Sequence, residues 1–338
     1  MSSVTPISPV GSDPTPDAAA DETIDATAAV ETVTKAATAR LAPTRTPVGT
    51  GRRSRLGAGR ILVYLFVTAT ALLWLVPIVG AVFASFRPFQ DTIQDGFFSR
   101  PRSFTLDNYR NAWDQGDILR KYWNTALILA PSLVLTLFFS SMVAFVCSRY
   151  SWRFNITLLS IFTAGNLLPQ QIIIQPLFQF YNRVDLPGWL SNSGKLNGST
   201  WGLILIHVAF QSGFCTFVLS NYMKLLPRSL NEAARMDGAS VWKQYTQIIM
   251  PLTLPAIAAL ATLEFTWIYN DFFWAVVLEQ QGSDRPITSS LANLGGEFFT
   301  DDNLIAAASM YVALPTLIVY FSLQRYFIAG LTIGAEKG

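Results

Sequence analysis

EAARMDGAS, residues 232–240, is a short charged segment between two long apolar runs, 196–223 and 251–278. Its local pattern is that of a helix–turn–helix. Ser229 stands three residues before Glu232, just after Pro227. That is the spacing of a capping box, in which the Ser side chain takes the Glu amide and the Glu side chain reaches back. A helix is expected over 230–237. Gly238 then suits the left-handed C-terminal position. Ser240 suits the cap of a second helix, VWKQYTQIIM, expected to end at Pro251. The first helix has about two turns, and helices below roughly 12–15 residues are marginal alone in water. Ala233, Ala234, Met236 and Ala239 give it a small, low-profile face. Such a helix persists when something packs on it, and a separate soluble partner is the simplest candidate. The alternative, a helix lying on the membrane surface, is weakened by the smallness of its apolar residues.

The flanking runs set the fold. About 20 apolar residues cross the hydrocarbon core as a helix. Residues 61–86, 122–148, 154–182 and 196–223 are uncharged, 251–278 carries two acids, and 303–324 closes the series. None alternates as the strands of a membrane barrel would. The expected fold is therefore an all-α integral membrane protein with six transmembrane helices. The polar loop, about 224–250, lies between the fourth and fifth. In the third, NLLPQQIIIQPLF places Pro169 and Pro176 among three glutamines. A proline removes a backbone hydrogen bond and kinks a helix. Two readings stand here, a pathway-lining kinked helix and a packing kink.

Composition agrees. Of 338 residues, 51% are hydrophobic and 14% are charged, where soluble domains average about 25%. The net charge of +2 gives no ground for a nucleic-acid partner. Cys147, Cys215 and the single histidine, His207, all sit in apolar runs, which offers neither a metal set nor a disulfide framework. They read as packing residues. Residues 1–59 are rich in Ala, Thr, Pro and Asp and contain no aromatic, so they read as a disordered tail. The tail has no apolar core of the kind a signal peptide needs. The membrane domain is expected over 60–328, with a short second tail over 329–338.

Orientation follows from Lys and Arg in the loops. With the N-terminus cytoplasmic, inside segments hold 15 of the basic residues and outside loops 9. Arg52, Arg53, Arg55 and Arg60, just before the first run, are the strongest cue. Both termini and EAARMDGAS are then cytoplasmic, and the polar loop 279–303 lies outside.

The run Glu232 to Ala239, followed by Ile249, Met250, Pro251, Leu252 and Pro255, resembles the EAA loop of binding-protein-dependent ABC importer permeases. Met250 stands where that pattern usually has Leu. QRYFIAGLTIGAEKG, 324–338, is similar to the ending of MalG-type sugar permeases, and Asn270, Asp271 and Phe272 resemble a stretch of the same group, with Tyr269 where a Trp often stands. The likeness covers about 60–338.

The resemblance implies a permease subunit of an ATP-driven importer in a bacterial inner membrane, moving a sugar or oligosaccharide. It implies as partners a second homologous permease, an ATPase dimer that binds the ATP and Mg, and an extracytoplasmic solute-binding protein. It implies that Glu232, Ala233, Ala234, Asp237 and Gly238 couple to the ATPase, Glu232 by meeting a basic residue and Gly238 by making the turn. This chain itself has no cofactor and no catalytic residue in that reading. GWLSNSGKL, 188–196, lacks the glycine spacing and the Ser or Thr of a P-loop. The outside loop 279–303 either contacts the binding protein or is a solvated connector.

Glu264 and Asp271 lie inside the fifth run, seven residues apart and so on one helical face. Acids within a membrane are costly and point to function. Together with Asn270 they are candidate solute-pathway residues; acids satisfied by helix–helix hydrogen bonds are the other reading. The competing function is an ion-coupled secondary carrier or channel built on Glu264 and Asp271. The EAA loop and the lack of a visible internal repeat count against it.

Overall fold

The computed structural model describes residues 58–96, 99–279, 284–291, 294 and 301–332. The expected N-terminal tail, save Ala58 and Gly59, lies outside the described residues. So do residues 280–283, 292–293 and 295–300 of the 279–303 loop, and so does the C-terminal ending from residue 333. The chain divides into two units at Ala71–Leu72. Of the first, the described part is the apolar helical stretch 58–71, the start of the first span; the packing described below belongs to the second.

Among the described residues there is no strand, only an isolated bridge between Asp185 and Lys195. Five helices are long and apolar enough to cross a membrane: Gly59–Ser85, Ile118–Arg149, Thr200–Leu225, Val241–Tyr269 and Asp302–Gln324. Counted as one span, the bent pair Asn155–Asn166 and Gln170–Arg183 makes a sixth. Short helices Phe89–Asp95, Asp107–Gln115, Phe273–Leu278 and Ile287–Ser290 fill the loops at one end. Helix Ser229–Met236 stands at the other.

The second and fourth spans form the centre. Ser132, Thr136 and Ser140 recur every four residues on the second span and are buried. Small side chains let membrane helices approach closely, and the Ser140 hydroxyl donates across to the Ser212 carbonyl at 3.1 Å. Ala144, Phe145, Cys215, Leu219, Met223, Tyr245, Ile249 and Leu260 join the second, fourth and fifth spans in one apolar cluster. At Gly213 a Cβ would overlap the Phe162 carbonyl and the Asn166 amide, so the third span closes on the fourth only because a glycine stands there. Ser199 starts the fourth span, its hydroxyl accepting from the Gly202 amide at 3.1 Å, a cap worth about 1 kcal/mol. Arg149 ends it, donating from the second span to the Met223 and Leu226 carbonyls at 2.6 and 3.1 Å. The Met223 carbonyl also takes the Leu226 amide at 3.2 Å, so Arg149 reinforces a helix end whose last carbonyls run out of regular intrahelical donors.

Three expectations change. The third span is broken, not merely kinked: its halves meet at 95°. Pro169 forces the residue before it out of the helical region, and Leu168 is extended at φ −71°, ψ 128°. The fifth span starts ten residues early, at Val241, and runs through Pro251. Residues Gln244–Ile249 form a π-helix, so the Met250 amide bonds to the Tyr245 carbonyl five residues back. The wider turn gives room to a proline ring that would clash in a regular helix. The same span stops at Tyr269 rather than 278. Asp271 is therefore off the helix and does not share a face with Glu264.

Candidate functional site

Two places gather polar side chains. The first is the EAA loop. Helix Ser229–Met236 begins one residue earlier than expected, with Arg228 at its cap position and no side-chain cap bond. The capping box is not made. Ser229 already lies within the first turn, and the Glu232 amide bonds to the Arg228 carbonyl at 3.2 Å. The Glu232 side chain is left exposed, with no partner among the described residues. Gly238 is left-handed, φ 75°, and Ser240 accepts from the Lys243 amide at 3.3 Å, both as expected.

One residue holds this loop onto the fifth span. Gln244, buried on the π-helix, donates to the Ala239 carbonyl at 2.9 Å and accepts from Asn231 at 3.2 Å. Of the EAA residues, Ala234 is 6% exposed and packs inward. Glu232, Ala233, Asp237 and Gly238 are exposed, and Met236 is 88% exposed. The helix thus turns Glu232, Arg235 and Met236 outward.

The second place is a cleft of about 610 Å³ where the broken third and fifth spans meet the fourth. Asn166 and Gln170 flank the break at Pro169; Thr266, Trp267, Asn270 and Asp271 surround the break after Tyr269; His207, Phe210 and Gln211 come from the fourth span. The Asp271 carboxylate accepts from the Trp274 and Ala275 amides, both at 3.2 Å, and so starts helix Phe273–Leu278. His207 Nε2 lies 3.6 Å from its Oδ2. The Thr288 hydroxyl donates to the Asp271 carbonyl at 2.8 Å and braces the break from the loop side.

Glu264 is not part of this cleft. It is fully buried between the fourth and fifth spans, where the Cys215 thiol donates to its Oε1 at 3.0 Å. The structure thus brings Asn270 and Asp271 together and leaves Glu264 apart. Gln211, Trp267 and Gln244 were not singled out by the sequence. Each sits in an apolar or amphipathic stretch whose pattern reads as packing. The glutamines beside Pro169 were the one visible hint of the cleft.

Residues 136–332 match the family model described as the binding-protein-dependent transport system inner membrane component. The chain belongs to this family. A probable ABC transporter permease protein of Pyrococcus horikoshii is 31% identical over 272 residues, covering 79% of this chain and 94% of that one. The multiple sugar-binding transport system permease protein MsmG of Streptococcus mutans is 29% identical, covering 81% and 96%. In fold the permease resembles a bacterial ABC transporter involved in the import of the acidic polysaccharide alginate, with TM-score 0.67 and 23% identity over 82% of this chain and 98% of that one. This permease is a multi-pass membrane transport subunit, and ATP hydrolysis belongs to a separate subunit of such systems. The family match also sets aside the carrier reading of Glu264 and Asp271.

Proposed function

We propose that this permease is one of two membrane subunits of an importer for a sugar or oligosaccharide, delivered by an extracytoplasmic binding protein. It lies in the bacterial inner membrane with both termini and the EAA loop cytoplasmic, on the Lys and Arg distribution. An ATPase dimer, which holds the ATP and Mg, docks on helix Ser229–Met236. Glu232 offers it an exposed carboxylate, Ala233 a low surface for close approach, and Asp237 and Gly238 the turn that fixes the helix. Ala234 serves from the inside, as the contact that seats the helix on its own subunit. Asn270 and Asp271 line the solute pathway, and Glu264 stands behind them as a helix–helix contact.

The observation that carries the reading is the outward face of a two-turn helix clasped to the start of a membrane span. ATPase closure then moves the fifth span as a rigid body, and the two helix bundles rock between two states. ATP and the loaded binding protein bias that equilibrium only by binding the two states differently. The sugar class is supported by relatives such as the permease MsmG, whose system is named for sugar binding.

The test is affinity purification of the tagged protein from its native host in mild detergent, with mass spectrometry of what accompanies it. A P-loop ATPase, a second permease and a solute-binding protein are expected. Recovery of the protein alone, or only with itself, would overturn the reading.

A further inference from the structure

We propose that the cleft between the two broken spans is a contact site, held by this subunit itself, for a neutral hydroxyl-rich solute: a carbohydrate without carboxylate or sulfate groups. This rests on the importer reading and names the chemistry of its solute. The cleft's volume, about 610 Å³, falls within the roughly 300–1,000 Å³ of small-molecule sites. It lies where two helices stop, and membrane helices break where the freed backbone faces protein or a polar cavity.

The lining decides the class. Four of its side chains are amides, from Asn166, Gln170, Gln211 and Asn270. An amide both donates and accepts, as a hydroxyl does. Asn270 spends one N–H on the Thr266 carbonyl at 2.9 Å, and Asn166 spends one on the Phe162 carbonyl at 3.3 Å. Their remaining groups, and those of Gln170 and Gln211, have no side-chain partner among the described residues. Trp267, Phe210 and Trp274 supply broad apolar faces, which suit the C–H faces of a pyranose ring.

Other solutes fit less well. A purely apolar solute would leave the amides unpaired, and unpaired buried polar groups cost free energy. An anion would meet the Asp271 carboxylate and find no Lys or Arg among the described residues of the lining. His207 is no substitute, being buried and set against Asp271 itself. A cation would find a single carboxylate, already engaged by the Trp274 and Ala275 amides. A neutral polyol uses the whole set.

The test uses the complete importer in liposomes with its binding protein. The probes are maltotriose, cellotriose and xylotriose as neutral trisaccharides and trigalacturonate as the anionic one. A neutral probe is expected to be taken up and trigalacturonate excluded. Gln211→Ala and Trp267→Ala should each cut that uptake roughly tenfold, while ATP hydrolysis stimulated by the loaded binding protein stays within twofold. A merely structural defect would lower both together. Gln211→Cys, in a chain whose own Cys147 and Cys215 are buried, should react with a methanethiosulfonate reagent and be protected by the transported sugar.

The proposal is overturned if trigalacturonate is the probe taken up, or if no neutral probe moves. It is also overturned if both Ala variants transport normally, or if Cys at position 211 is shielded by the partner permease regardless of sugar. Failure of the importer reading is a different result, a complex that assembles without an ATPase.

Discussion

The EAA loop lies between two membrane helices and the cleft lies where two of them break, and the two are made in opposite ways. The loop is contiguous. Its helix, its left-handed glycine, its Ser240 cap and its Gln244 clasp fall within sixteen residues, 229–244. The cleft is assembled from stretches around 166–170, 207–211 and 266–274 that meet only because three spans pack. A contiguous element can keep its shape while it is pushed as a unit. An assembled one changes shape when its spans shift. That division suits a machine in which force enters at the loop and the solute is held or released at the cleft.

The comparison breaks most sharply at Gly238. Its φ of 75° is closed to proline, whose ring fixes φ near −65°. Gly238→Pro also loses the amide that bonds to the Arg235 carbonyl at 3.1 Å. The expected outcome is loss of the ATPase from the purified complex, with the second permease retained. Gly238→Ala tolerates the turn at about 1–2 kcal/mol and should weaken ATPase retention roughly tenfold. Pull-down of the ATPase against rising competitor protein measures both. If the proline variant retains the ATPase fully, the loop does not act as one shaped element.

Gln244 sharpens the same point from inside the membrane span. Gln244→Leu keeps the volume but leaves the Asn231 amide and the Ala239 carbonyl without this partner. Two hydrogen bonds of about 1 kcal/mol each would no longer hold the loop to the π-helix. ATP hydrolysis by the complete importer should continue while uptake falls roughly tenfold. The loop would then still dock but no longer push. Equal loss of both activities would instead mean that Gln244 only supports folding.

Legibility in the sequence follows the same division. Six apolar runs were visible because a bilayer demands about 20 apolar residues per span. The turn at Gly238 and the cap at Ser240 were visible because both are local. Three features were not. The capping box at Ser229 failed because the helix begins one residue sooner, which puts Ser229 inside the first turn. Pro251 did not end a helix because a π turn upstream of it absorbs the ring. Asp271 left the face of Glu264 because the span stops at Tyr269 and the Asp271 carboxylate caps a new helix instead. The cleft as a whole was out of reach for a further reason: Asn270 and the glutamines beside Pro169 drew notice singly, but only the packing of three spans brings them together with Gln211.

Glu264 gives the smallest expected effect, and it separates the two regions from the packing between them. An acid in a membrane span is costly, so the sequence nominates it for function. The structure gives it another duty: fully buried, it takes the Cys215 thiol at 3.0 Å between the fourth and fifth spans. Glu264→Gln preserves an acceptor oxygen for that thiol and nearly the same volume. It also removes the cost of burying a carboxylate. Uptake and solute choice should therefore change less than twofold, and thermal stability in detergent should hold or rise. Glu264→Leu should lower stability instead, because it leaves the thiol unpaired and changes the shape at the contact. A large loss of uptake in the Gln variant, with stability unchanged, would return Glu264 to the solute pathway. The cleft would then extend along the fifth span beyond the break at Tyr269, and the division between a moving element and a binding site would have to be drawn elsewhere.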